Sequence, residues 1–99
     1  MVKVLGIRLY KKKTEKTFKG YFRGYANIEL TISEGMSLEI RGIEIYSDGR
    51  GGYSAIMPRY KEGKQYFDFI YPSAFLLMSI SNAVKEAYKE ETKPYVSPI

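Results

Sequence analysis

The residues best suited to do chemistry in this chain are cations interleaved with aromatic rings. Lys3, Arg8, Lys11, Lys12, Lys13, Lys16, Lys19 and Arg23 fall within the first 23 residues, where the single acid is Glu15. That segment carries +7, whereas residues 24–99, with eight bases and ten acids, carry −2. Clustered Lys and Arg attract phosphate over about one Debye length, ~8 Å in physiological salt. Tyr21, Phe22 and Tyr25 follow the lysines directly. Charge that tracks a sugar-phosphate backbone, beside rings that stack on bases, suits single-stranded nucleic acid. On a duplex the same lysines would hold phosphates with little sequence information. The alternative is a solvated hairpin tip whose rings belong to the core or an interface, since alternate strand residues face opposite ways. Arg59, Lys61 and Lys64 form a second basic turn, partly neutralised by Glu62. It reads as an auxiliary phosphate contact or as an ordinary loop.

Other chemistries are excluded by what is missing. None of the 99 residues is His, Cys or Trp. Without Cys there is no disulfide, thiolate metal site or cysteine nucleophile. Without His there is no Ser–His or Cys–His pair and no imidazole base or ligand. Asp68, between Phe67 and Phe69, could act as a base, but the sequence pairs it with no acid or nucleophile. It is read as a hydrogen-bonded structural residue near a strand end. Glu29, Glu39 and Glu44 alternate with apolar residues and read as a solvated strand face, not as metal ligands. The Gly49-Arg50-Gly51-Gly52 run lacks the Gly-x-x-x-x-Gly-Lys-Ser/Thr spacing of a phosphate cradle, and no helix follows it directly. Its glycines are assigned to turn geometry. No catalytic residue, metal ligand or cofactor site is assigned, and a binding or scaffolding protein is the leading class.

These side chains need a frame. The length fits one domain, and 44% hydrophobic residues suffice for a core. Residues 2–10 read as a strand, with Val2, Val4, Ile7 and Leu9 set among Lys3 and Arg8. Residues 11–16 are too polar to pack and read as a loop. Residues 17–32 form a second strand, in which Ile28, Leu30 and Ile32 alternate with Glu29 and Thr31. In residues 36–46, Leu38 and Ile40 share one parity and Ile43 and Ile45 the other. A regular strand would turn the second pair to the opposite face, so a β-bulge is predicted near Arg41-Gly42. Residues 53–57 and 65–70 are strands four and five, with 59–64 a charged turn between them. Ser73 caps a helix whose apolar face is Leu76, Leu77, Ile80, Ala83, Val84, Ala87 and Tyr88. It ends near Glu91, because Lys93-Pro94 bars continuation.

The sum is an α+β fold: an antiparallel sheet of about five strands followed by one C-terminal helix. The domain spans residues 1–91, and a Pro-containing tail spans 92–99. One helix covers one face of such a sheet; the other carries many Tyr, which suits a wet surface or a dimer contact. Exposed strand edges favour pairing of two copies. Phe75-Leu76-Leu77-Met78 is read as core, the alternative being an exposed docking surface for a protein partner.

Several segments carry a further signal when taken in order. They are Ile7-Arg8-Leu9, then Ala26-Asn27-Ile28-Glu29-Leu30, then Leu38-Glu39-Ile40-Arg41-Gly42-Ile43-Glu44-Ile45 with the Gly-rich turn behind it. Ala55-Ile56-Met57-Pro58 and Phe67-Asp68-Phe69-Ile70-Tyr71-Pro72 follow, then Ile80, Ala83-Val84 and Tyr88. Over residues 4–88 this set resembles the stage V sporulation protein G (SpoVG) family, the bacterial septation regulators. The resemblance implies a small cytoplasmic homodimer that binds DNA or RNA and regulates gene expression in septation, cell division or sporulation, without catalysis. Ile56 stands where the family usually has Ala, and Tyr71 where it has His. The family's helix start is a basic stretch of the Ser-Ser-Thr-Arg-Glu-Lys type linked to DNA contact. Here it is Ser73-Ala74-Phe75-Leu76-Leu77-Met78-Ser79, shorter by one and uncharged, so those contacts are not carried over. The segment before Ala26 is longer and more basic than usual. Either the phosphate-binding surface has moved to that first hairpin, or the chain is a divergent member without the activity.

A secretory signal needs about 7–15 consecutive apolar residues, and Lys3, Gly6 and Arg8 interrupt the N-terminus. The most apolar stretch, 74–80, is far below the ~20 residues of a membrane span. A cytoplasmic location away from membranes is expected, and the absence of Cys agrees with it. The sequence therefore points to a homodimer that binds nucleic acid through Lys11, Lys12, Lys13, Lys16, Lys19 and Arg23, with Arg59 and Lys61 as a second contact. Its rival is a non-catalytic protein-interaction or structural dimer that has lost nucleic-acid binding.

Overall fold

A computed structural model of the chain describes residues 1–10, 12 and 15–92. Its elements are β1 (Val2–Leu9), β2 (Tyr21–Ser33), β3 (Met36–Ser47), β4 (Tyr53–Ile56), β5 (Arg59–Glu62), β6 (Gln65–Asp68) and α1 (Ala74–Glu91). The first four strands form an antiparallel sheet in chain order, while β5 and β6 pair separately as a two-stranded ribbon. The α+β class matches the expectation; the single sheet of about five strands does not. Residues 59–64, expected as a turn, supply β5, and the turn contracts to Gly63-Lys64. Tyr60, Lys61, Glu62 and every residue of β6 are exposed. A strand wet on both faces shows no apolar alternation, which is why its sequence reads as a turn. β2 likewise begins at Tyr21 and not at residue 17, because Thr17 and Gly20 close a tight turn ahead of it.

Burial sets the register of the larger sheet. Ala26 and Ile28 on β2, Ile40, Ile43 and Ile45 on β3, and Ala55 on β4 are buried on one face. The parity change in β3 is resolved by the anticipated bulge. Ile28 pairs with Ile40 and Ala26 with Ile43, leaving Arg41 and Gly42 opposite Asn27 alone. Gly42 takes a φ of +82°, a conformation that costs a residue with a side chain about 1–2 kcal/mol. Its N–H donates to Asn27 Oδ1 at 3.0 Å, which satisfies a group that the bulge removes from the ladder. β1 slips in the same way, with Leu5 extra between Val4↔Ile28 and Gly6↔Asn27. That slip carries Val2, Val4, Ile7 and Leu9 to one core-facing set. A third slip puts Arg23 between Phe22 and Gly24.

α1 closes this face. Ser73 Oγ accepts the N–H of Leu76 at 3.3 Å, the cap that the sequence calls for. Ile80, Val84 and Tyr88, four residues apart, are buried, and Leu76 one turn earlier packs on the same cluster. Each fully buried aliphatic contributes about 1.5–3 kcal/mol relative to an exposed one, so this row fixes the helix rotation. A single row of that spacing seats one of four consecutive residues. Leu76 takes the place, and Phe75, Leu77 and Met78 stand 80%, 36% and 59% exposed. The core reading of that run holds for Leu76 alone. The helix ends at Glu91 as expected, where the N–H and hydroxyl of Thr92 donate to the Tyr88 carbonyl at 3.0 and 2.8 Å. Beyond Thr92 the expected tail lies outside the described residues. Among the described residues no helix is long and apolar enough to cross a membrane.

Candidate nucleic-acid interface

The sheet face away from α1 is lined by rings and charges, and the β5–β6 ribbon is fastened over it. Arg59 makes the fastening. Its Nε donates to Glu44 Oε2 at 2.9 Å and its Nη2 to Oε1 at 3.3 Å. Both side chains are largely shielded, 16% and 17% exposed. The Tyr46 hydroxyl donates to Glu44 Oε1 at 2.9 Å. Burial and the neighbouring carboxylate push the Tyr46 hydroxyl up to about 12, so it stays a neutral donor at physiological pH. Glu44 therefore holds three hydrogen bonds beneath the ribbon and is not the solvated residue expected from its alternation. The Tyr66 ring completes the arrangement, 4.4 Å from the Arg59 guanidinium and 5.7 Å from Lys61 Nζ.

The second wall is the turn before β2. Thr17 and Gly20 exchange backbone hydrogen bonds at 2.9 and 3.0 Å. Thr17 Oγ1 donates to the Gly20 carbonyl at 2.9 Å and accepts the Lys19 N–H at 3.1 Å. The turn is jammed against the end of β3: Gly20 has φ +110°, and a Cβ there would run into the Ser47 carbonyl. Phe18 is held at the tip, 96% exposed, with Lys19 Nζ 5.5 Å from the centre of its ring.

Between these walls run three adjoining hollows. The first, about 320 Å³, is lined by Arg8, Tyr25, Asn27 and Gly42. The second, about 430 Å³, shares Tyr25 and Gly42 with it and adds Arg41, Glu44, Tyr46, Pro58, Arg59 and Tyr66. The third, about 290 Å³, shares Tyr46, Arg59 and Tyr66 and adds Thr17, Phe18 and Lys19. The lining carries four cations against the one carboxylate of Glu44. Arg41 also pairs with Glu39 at 2.9 Å, in a solvent-exposed contact that is worth little.

Of the residues expected to bind, Lys19, Arg59 and Lys61 come together around this cleft. Lys19 is half-buried, and burial, then the charge of Arg59, hold its ammonium below the usual lysine range. Lys12 and Lys16 are exposed in the loop; the Asp48 carboxyl is held below its usual range chiefly by the N–H groups of Arg50 and Gly52, with the Lys16 charge adding least. Arg23 is not part of the group. Its bulge turns it to lie 5.2 Å from the Tyr21 ring centre, on the helix side, where its charge reaches Tyr88. Lys11 and Lys13 lie outside the described residues. Of the expected stacking rings, Tyr25 is presented, whereas Phe22 packs among Tyr10, Tyr25 and Tyr46 with ring centres 5.1–5.7 Å apart. Phe18, Tyr66, Arg8 and Arg41 join the cleft unforeseen. An uncompensated aromatic beside Lys19 is the sequence signal that could have singled out Phe18.

The Gly-rich loop and Asp68 stand outside the three hollows. In the Gly-rich loop, Asp48 Oδ1 accepts the N–H groups of Arg50 and Gly52 at 2.6 and 3.0 Å, and Ser47 Oγ accepts that of Gly49 at 3.0 Å. These donors are engaged within the loop, as turn geometry requires. Asp68 is exposed at the end of β6, opposite Arg59. Among the described residues no cluster of three or more acidic side chains could hold a metal ion. No protein-family model, curated protein or solved structure matches the chain.

Proposed function

We propose that this chain is a small, non-catalytic regulator that binds DNA or RNA as a homodimer in the cytoplasm. Its resemblance to the SpoVG family points to septation- or sporulation-type gene expression. The observation that carries the proposal is the gathering of Arg8, Arg41, Arg59 and Lys19 with Tyr25, Tyr66 and Phe18 on the sheet face that the helix leaves open. Cations supply phosphate affinity and exposed rings supply stacking. Pairing of two copies would double that surface.

A second reading has its own observation. Phe69, Tyr71, Phe75, Leu77 and Met78 are exposed around the ribbon base and the helix start. Large apolar side chains exposed in that number suit a protein contact, either the dimer seam or another partner. Anisotropy of labelled DNA and RNA across a salt series separates the two readings. Phosphate-driven binding weakens linearly in log salt, with a slope of about −0.7 to −0.9 per phosphate neutralised. Replacing Lys16 and Lys19 by Gln flattens that slope. Absence of binding at low salt by a folded protein would leave the protein-interaction reading in possession. Light scattering tests the homodimer directly.

A further inference from the structure

We infer that the open face is a track for single-stranded nucleic acid, with bases stacked on Tyr25, Tyr66 and Phe18 in the three successive hollows. The inference rests on the nucleic-acid reading above and narrows its ligand. Each hollow pairs an aromatic wall with a cation: Tyr25 with Arg8, Phe18 with Lys19, and Tyr66 with Arg59, which Glu44 already holds, so that the exposed Lys61, 5.7 Å from the Tyr66 ring, supplies the charge there. Adjoining hollows share residues, so the ring-and-cation unit recurs along one continuous path. Repetition of that unit is what a single strand needs, because each nucleotide offers one base face and one phosphate.

A duplex hides its base faces within the stack and offers phosphates on a convex surface. Tyr25 and Tyr66, set between the sheet and the ribbon, would find nothing there to stack on. Phe18 supports the assignment most directly. A turn closed by four hydrogen bonds displays a phenyl ring that is 96% exposed. Such a ring does nothing for the core, and its flat face is held ready for a planar partner. The lining is net cationic, four to one, complementary to a phosphate chain.

The test uses the full-length protein, labelled oligo-dT and the oligo-dT·oligo-dA duplex. Phe18→Ala removes no packing, so folding is not at stake, and Tyr25→Ala is checked by circular dichroism. Each should weaken oligo-dT binding roughly five- to 150-fold, the range found for loss of one stacked base, and leave duplex binding unchanged. Phe18→Trp adds a reporter to a chain that has no Trp. Its emission should be quenched by oligo-dT and not by the duplex. If DNA binds but the duplex is preferred, or if the three substitutions register nothing, the track is overturned and the nucleic-acid reading stands. The β5–β6 ribbon in a major groove would then be the site to pursue. If neither oligonucleotide binds at low salt, the nucleic-acid reading fails and the track fails with it.

Discussion

The two faces of the four-stranded sheet come from the same strands, one residue apart, yet they differ in kind. One face buries Ala26, Ile28, Ile43 and Ile45 under Ile80, Val84 and Tyr88. The other sets Tyr25, Asn27, Arg41, Glu44 and Tyr46 along an open cleft. The covered face is held by burial, which is non-directional and tolerates swaps of similar volume. The open face is held by directed bonds, chiefly those of Arg59 and Tyr46 to Glu44. Stability should reside mainly in the first face and ligand recognition in the second.

The strongest way to break that division is Ile43→Ala, at a fully buried position. The cavity and lost transfer energy should cost about 2–5 kcal/mol in urea unfolding. Oligonucleotide affinity measured under conditions where the variant is folded should not change. A matching loss of affinity would mean that the faces are not separable.

A smaller effect is expected from Arg59→Gln. It removes two charge-assisted bonds and leaves Glu44 under the ribbon without its cation, at a cost of about 1.5–3 kcal/mol. Hydrogen exchange should quicken in β5 and β6 and remain slow in β2 and β3, because an isolated two-stranded ribbon is marginal in water. Uniform quickening over all the strands would show that Arg59 supports the whole fold.

The smallest effect concerns Tyr46, whose hydroxyl is raised from 10.0 to about 12. The folded state holds that proton more tightly than the unfolded chain. Its contribution to stability is complete below about pH 10 and is lost as pH climbs from about 10 to about 12. Urea midpoints should therefore fall further over that window in the wild type than in Tyr46→Phe. Equal falls would assign the alkaline loss to other tyrosines.

What the sequence made legible is whatever is half-buried. The apolar row of α1, its Ser73 cap and the bulge at Arg41-Gly42 all follow from periodicity, because one wet and one dry side leave a pattern. The slip at Leu5 left the same parity change, between Val4 and Ile7, without a bulge being inferred from it. β5 left none, being wet on both sides. The cleft was legible only in part. Lys19 and Arg59 were picked out by charge, but what joins them is distant in sequence: Glu44 is 15 residues from Arg59. Arg23 was misplaced because the bulge beside it, in a strand rich in rings, reversed the side it faces.

Leu5 and Gly42 flank Asn27 from the two neighbouring strands. Viewed as a lattice, the sheet contains a dislocation: two extra residues aligned across it, with β2 regular from Gly24 to Thr31 on either side. β2 runs through this line with its alternation of Ala26, Ile28 and Leu30 unbroken, and serves as the reference against which both neighbours shift phase. A deletion of Gly42 alone would heal the bulge and leave Leu38, Ile40, Ile43 and Ile45 on one parity against β2, whereas a deletion elsewhere in the middle of β3 would put the residues beyond it out of phase. Insertions and deletions in this sheet should thus be judged by their distance from that line, more than by the residue type removed.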